Sequence, residues 1–238
     1  LSDSYALHQV IFIRSIVGTV LFLAVIMPLS GGLKVMRTRR LKVHLVRGIC
    51  VVFANMCLFL GLAAMPIADA VAVFFISPLV ITVFSVVFLG ETVGARRWAA
   101  IAVGFVGVLV IVKPGTSAFQ VASLLPMLAA TLYAVIHILA RKIGGTESAA
   151  TMAFYIQLTF IIASAGFGLT LGHGAYATDT HPSLSFLLRA WGPVMAEDWP
   201  ILIMLGVSGV LGGFFISQAY RLSEAAFAAP FEYVAMPM

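Results

Sequence analysis

Apolar residues run along this chain in blocks too long for the surface of a water-soluble fold. Uncharged stretches of about 17 to 22 residues recur, the length an α-helix needs to cross roughly 30 Å of hydrocarbon. They predict helices near 10–29, 46–65, 69–89, 98–112, 120–140, 149–171 and 200–220, with an eighth starting near 225. The alternation over about ten residues that marks the strands of a membrane barrel is absent. The pattern predicts an all-α integral membrane protein.

Composition agrees. Of 238 residues, 62% are hydrophobic and 10% charged, whereas an average soluble domain carries about 25% charged residues. A net charge of +5 would suggest nucleic acid in a soluble protein, but here the cations sit between the apolar blocks, so no nucleic-acid partner is expected. Lys34, Arg37, Arg39, Arg40, Lys42 and Arg47 follow the first block, Arg96 and Arg97 the third, Arg141 and Lys142 the fifth, and Arg221 the seventh. The alternate connections carry only Lys113 and Arg189. Excess Lys and Arg marks cytoplasmic loops, which predicts a multi-pass protein of the plasma (inner) membrane with its basic loops cytoplasmic. Leu1–Gln9 then lies outside, and a missing helix before Leu1 would return the true N-terminus to the cytoplasm.

Trp98, Trp191 and Trp199 fall where amphipathic indoles favour the interface, and Ser183–Met195 is apolar enough to lie on the membrane surface. Cys50 and Cys57 stand seven residues apart within one block. A helix separates them by about 10 Å, too far for a disulfide, and no metal-ligand spacing is present.

The segment Leu60–Pro78 aligns without gaps on Ala219–Pro237, pairing Ala70 with Ala229, Phe74 with Tyr233 and Pro78 with Pro237. The first copy enters the membrane from an outer loop and the second from an inner one. Opposed copies of one element are the mark of inverted-topology repeats in transporters.

Phe88–Gly115 (FLGETVGARRWAAIAVGFVGVLVIVKPG) closes one helix at Gly90-Glu91, makes a short basic turn, and ends a Gly-spaced helix at Lys113-Pro114-Gly115. Together with Leu62–Pro78 and Gln218–Pro230, it resembles an EamA domain of the drug/metabolite transporter superfamily. That resemblance implies ten spans in two inverted five-helix repeats. Residues 1–115 would form the first repeat without its first helix, and 116–238 the second, cut in its fourth helix. The stretch from His173 to Trp199 is longer than the family leads one to expect.

No catalytic constellation, phosphate-cradling loop or cofactor motif is visible, so no enzymatic activity, cofactor or metal is expected. The chemistry available is binding and relocation. A charge at mid-bilayer costs roughly 2.5–3.5 kcal/mol on insertion scales, which singles out Glu232 as the partner of a substrate amine or as a proton-coupling site. Arg14 lies one turn from a span end, where snorkelling competes with binding, and Gln157 lies at a corresponding depth. Asn55, Ser77, Tyr133 and Gln218 are uncharged polar groups within spans, suited to interhelical hydrogen bonds or to cavity lining. Phe74 and Tyr233 are candidate aromatic walls. His137 is expected near the headgroups beside Arg141 and Lys142, Glu91 as an anchor on the basic side, and Asp69 as a helix cap. Pro78 and Pro237 would bend their helices. Gly206, Gly209 and Gly213 would form a small-residue face admitting a neighbouring helix.

The expected function is a secondary transporter moving a small metabolite or drug-like solute by alternating access, with export favoured. Uptake of a metabolite or vitamin is the alternative, and a membrane-embedded transferase a weaker one. The partners expected are a small-molecule substrate and the lipid bilayer. Protons are the candidate coupling ion, and a homodimer is left open.

Overall fold

The computed structural model describes residues 4–112, 121–178 and 182–235. Among them there is helix and no strand. Helix α1 spans Leu7–Leu29, α2 Leu41–Ala64, α3 Ile67–Phe74, α4 Ser77–Phe84, α5 Ala95–Val112, α6 Leu124–Ile143, α7 Ala149–Leu171, α8 Pro182–Leu188, α9 Trp199–Leu222 and α10 Ala225–Ala228. A 3₁₀ segment, Ala229–Ala235, continues α10.

Six stretches of these described residues are helical, long and apolar enough to cross a membrane: Leu7–Leu29, Leu41–Ala64, Ile67–Leu89, Val121–Ile143, Ala149–Leu171 and Ala196–Leu222. Each matches an expected span. The expected span at 98–112 is met by α5, which opens on Arg96 and Arg97 and falls outside these six. Large apolar side chains such as Leu29 (83% exposed) and Leu169 (84%) point outward, which a multi-pass membrane protein tolerates because lipid, rather than water, covers them.

Two spans break their regular ladder, and the sequence shows why. In α1 a π-turn at Phe22–Ile26 stands just ahead of Pro28, whose missing N–H already interrupts the i→i−4 pattern. Between α3 and α4 the helix stops at Phe74, turns, and restarts at Ser77-Pro78. Pro78 has no N–H to offer the Phe74 carbonyl, and the Thr82 hydroxyl bonds back to the Pro78 carbonyl at 2.8 Å. The bend expected at Pro78 is therefore a complete break. Its counterpart Pro237 lies outside the described residues. After α4 a π-turn, Ser85–Leu89, ends at Gly90 with φ +69°, a left-handed close that glycine adopts freely.

The described helices gather into two units, each drawing on both the first and the second half of the chain. Unit 1 comprises Leu1–Val52 and Thr146–Gln218. Its core joins Phe22, Ile26, Val35, Ala150, Ala153 and Val210. Glycines set the approach of its helices: Gly48 faces the Thr159 side chain, and Gly18 the Gln157 amide and the Gly206 carbonyl. Arg14 lays its guanidinium over the Phe160 ring, 5.0 Å from the centroid. The segment after α8 is tied to the start of α1. Trp191 donates to His8 and packs on Phe12, Gln9 bonds the Gly192 backbone, and Tyr5 donates to the Asp198 carboxylate. That carboxylate raises the Tyr5 phenol above its ordinary range. Trp191 packs against α1 and α7, its ring filling the space beside Gly168.

Unit 2 comprises Phe53–Gly145 and Ala219–Met238. Val73, Ile76, Leu79 and Ala130 form its core, with Phe74, Met127 and Tyr233 packed around them. At its basic end Glu91 accepts hydrogen bonds from the Ala225 and Ala226 amides, both at 2.9 Å, and stands 3.6 Å from Arg141. Arg141 donates to the Arg221 carbonyl and Arg221 to the Gly144 carbonyl. Glu91 is the expected anchor, and its main work is to hold the start of α10.

Two stability differences follow. A Cβ on Gly206 would stand 2.7 Å from both the Arg14 carbonyl oxygen and Val17 Cβ, whereas one on Gly209 or Gly213 would meet nothing within 4 Å. The small-residue face therefore reduces, among its three glycines, to Gly206. Gly206→Ala should cost about 1–3 kcal/mol by overpacking, and Gly209→Ala and Gly213→Ala close to nothing, read as thermal unfolding in detergent. Equal midpoints for all three would contradict this packing. Glu91→Ala, leaving two amides without their acceptor and Arg141 without its ion-pair partner, should cost about 1–3 kcal/mol; an unchanged midpoint would show that the anchor contributes no stability.

Candidate functional site

In unit 2 the short helix α10 and its 3₁₀ continuation carry Glu232 to the side of α6 and the end of α9. A 3₁₀ run of seven residues is long for that geometry, and such runs mark hinges or strained sequence. Glu232 accepts a hydrogen bond from the Tyr220 hydroxyl at 2.6 Å and a second from the Tyr133 hydroxyl. Among the described residues it makes no ion pair. A carboxylate this far into an apolar bundle needs donors, and two phenols supply them.

Aromatic rings enclose the carboxylate. His137 stacks on Tyr220 with centroids 4.2 Å apart and meets Tyr133 edge-on at 4.2 Å. Phe74 packs edge-on against Tyr133 at 5.4 Å, and Tyr233 lies 6.0 Å from Phe75. Tyr133 and His137 are one helical turn apart on α6, so a single face of that helix presents both. Tyr220 is 2% exposed and His137 4%.

Tyr233 also lines an apolar pocket of about 610 Å³, bounded by Phe75, Pro78 and Leu79, by Ile101 and Gly104 of α5, and by Ala226 and Pro230. Arg97 and Thr82 are the polar groups on its wall. The volume lies in the range of small-molecule pockets, and an apolar lining with few polar groups is their usual character. The break before Pro78 shapes one wall and the 3₁₀ segment another.

Of the eight residues singled out from sequence, the structure gathers Phe74, Tyr133, Glu232 and Tyr233 in this cluster. Ser77, 1% exposed, begins α4 beside the break, and Asn55 is half-buried on α2. Gln218 is half-buried and Arg14 stacks on Phe160, both within unit 1. Sequence reasoning missed Tyr220 altogether and placed His137 among headgroups. The i, i+4 spacing of Tyr133 and His137 was the available signal. The expectation for His137 rested on its nearness to Arg141 and Lys142; Lys142 is exposed and Arg141 half-buried, whereas His137 is buried between the two tyrosine rings. Glu147, His44 and Arg47 were also missed. They are buried in unit 1, because α2 begins at Leu41 rather than near 46 and carries His44 and Arg47 inside the bundle.

Residues 1–113 match the EamA-like transporter family. A riboflavin transporter of Rhizobium johnstonii is 30% identical over 207 residues, covering 87% of this chain and 63% of that protein. An S-adenosylmethionine uptake transporter of Rickettsia felis is 29% identical over 203 residues, 85% of this chain and 63% of its own length. The pseudopaline exporter CntI of Pseudomonas aeruginosa is 25% identical over 227 residues, 95% and 72% of the two chains. The chain therefore spans about 63% of the length of the first of these curated relatives. A crystal structure superposes on 96% of this chain and 78% of its own, with a TM-score of 0.63 at 18% identity, which shows a shared fold. Over residues 1–113, then, this chain matches the EamA-like transporter family, and the relatives it resembles are named as transporters.

Proposed function

We propose that this protein is a secondary transporter that binds a small, flat heterocyclic solute at Glu232 and passes it across the membrane by alternating access. The observation that carries the reading is a carboxylate held by two phenol hydroxyls, walled by aromatic rings and adjoining an apolar pocket. A solute donor, an N–H or a cationic group, would replace one tyrosine hydroxyl at Glu232. A flat ring would lie against Phe74, Tyr133 and His137, and the remainder would extend past Tyr233 into the pocket. The relatives' names fit this chemistry, since riboflavin and S-adenosylmethionine both contain planar heteroaromatic rings.

The reading includes ten spans in two inverted repeats, with 1–115 and 116–238 contributing to one each and the basic loops cytoplasmic. The aligned segments support it. Ala70 and Ala229, which correspond, are both fully buried; Ala70 lies within the short helix α3, and Ala229 directly follows the short helix α10. Val73 stands where the second copy has Glu232, so the carboxylate is supplied once. Alternating access would use the break before Pro78 and the 3₁₀ segment as the places where the backbone gives. Protons are the proposed coupling ion, because a buried carboxylate with two phenol partners can bind or release one as the solute leaves. Export is the direction suggested by similar proteins in general. The uptake transporter among the relatives now favours inward movement, with export, carried by the pseudopaline exporter, as the second reading.

The test is transport by the full-length protein in liposomes under an imposed pH gradient, with riboflavin and S-adenosylmethionine as probes. Wild type should accumulate one of them saturably. Glu232→Gln, which removes a charged hydrogen-bond acceptor worth about 1.5–3 kcal/mol, should lower transport by roughly 10- to 150-fold. Undiminished transport by Glu232→Gln would remove that residue from the site.

A further inference from the structure

The basic connection between α1 and α2 is built more firmly than a topological signal requires. Gly31 and Gly32 take left-handed φ values of +113° and +67°, and the turn they begin drives Val35 into the core of unit 1, where it is 3% exposed. The Tyr155 hydroxyl donates to the Met36 carbonyl at 3.0 Å. Glu147, 6% exposed, accepts from the Thr38 hydroxyl at 2.8 Å and from the Arg39 amide at 3.4 Å. Its other oxygen lies 3.5 Å from His44 Nε2, and His44 stacks on Tyr155.

The backbone of this loop is thereby fixed by side chains from beneath, while its cations are left facing outward. Lys34, Arg37, Arg39 and Arg40 line a polar cavity of about 1110 Å³. None of the four forms an ion pair among the described residues. An excess of cations for orientation alone needs no fixed backbone and no cavity. Cations carried on a fixed backbone around a concavity suit a phosphate group, since the loop binds without first losing backbone freedom. The neighbouring apolar side chains decide the kind of phosphate. Leu29, Leu33 and Leu41 are 83%, 72% and 49% exposed, and they bracket the basic residues in sequence. A soluble anion has no use for exposed leucines, whereas a lipid presents a phosphodiester and acyl chains together.

We infer that this cavity binds the headgroup of an anionic phospholipid, with Lys34, Arg37, Arg39 and Arg40 holding its phosphate and Leu29, Leu33 and Leu41 its chains. The site lies within unit 1 and does not depend on the transport reading.

Native mass spectrometry of the full-length protein tests it, using nanodiscs of phosphatidylglycerol mixed with phosphatidylcholine. The wild type should retain phosphatidylglycerol preferentially. Removing two cations near an anionic lipid should weaken that retention roughly thirtyfold in R39Q/R40Q. R39K/R40K should retain most of it, and R96Q/K142Q, which removes two exposed cations of unit 2, should match wild type. Equal retention of the two lipids would overturn the inference, as would equal losses in both glutamine pairs. Displacement of the lipid by millimolar inorganic phosphate would also overturn it, by assigning the cavity to a soluble anion.

Discussion

A carboxylate surrounded by hydrocarbon must find hydrogen-bond donors or lose its charge, and the arrangement of unit 2 follows from how Glu232 meets that demand. Leaving such a group without partners costs several kcal/mol, so Tyr133 on α6 and Tyr220 at the end of α9 are held where their hydroxyls reach it. His137 keeps both phenols in place through ring contacts on either side. Glu91, at the opposite end of α10, caps the amides of Ala225 and Ala226 and so fixes where the segment carrying Glu232 begins. Two acidic residues thus define one short element: one anchors its start, and the other is proposed to meet the solute.

The same demand explains why irregular backbone occurs where it does. Breaks in a spanning helix expose carbonyls that lipid cannot satisfy, and they are tolerated only beside protein or a cavity. The interruption before Pro78 and the 3₁₀ run after Ala228 both border the pocket that Tyr233 lines. Rings and an apolar wall suit the flat solute proposed for this site, and the carboxylate would give it one fixed point. Unit 1 applies the rule differently. Buried Glu147 takes its donors from a loop rather than a helix, which stiffens that loop and leaves its arginines facing outward.

Much of this was legible in the sequence because the bilayer imposes a length. Six of the expected spans appear where the uncharged blocks placed them, and Gly90-Glu91 closes its helix as its residue types suggest. Glu232, Tyr133, Phe74 and Tyr233 stood out as polar or aromatic residues within apolar runs, and the structure brings them together. What the sequence withheld were partnerships between distant elements. Nothing near Tyr220 announces that its hydroxyl meets a carboxylate twelve residues later, past a helix end. Nor does the sequence show that His137 turns inward while Arg141, four residues on, reaches for Glu91. Arg47 reads as a loop cation until helix α2 is seen to begin at Leu41.

A structure of the full-length protein with the solute bound would decide whether Glu232 and its tyrosines anchor it. If they do, solute density will lie within hydrogen-bond distance of a Glu232 carboxylate oxygen, its flat ring against Phe74, Tyr133 or His137, and at least one tyrosine hydroxyl will be displaced. Density lying elsewhere, with Glu232 still held by both Tyr133 and Tyr220, would show that they do not.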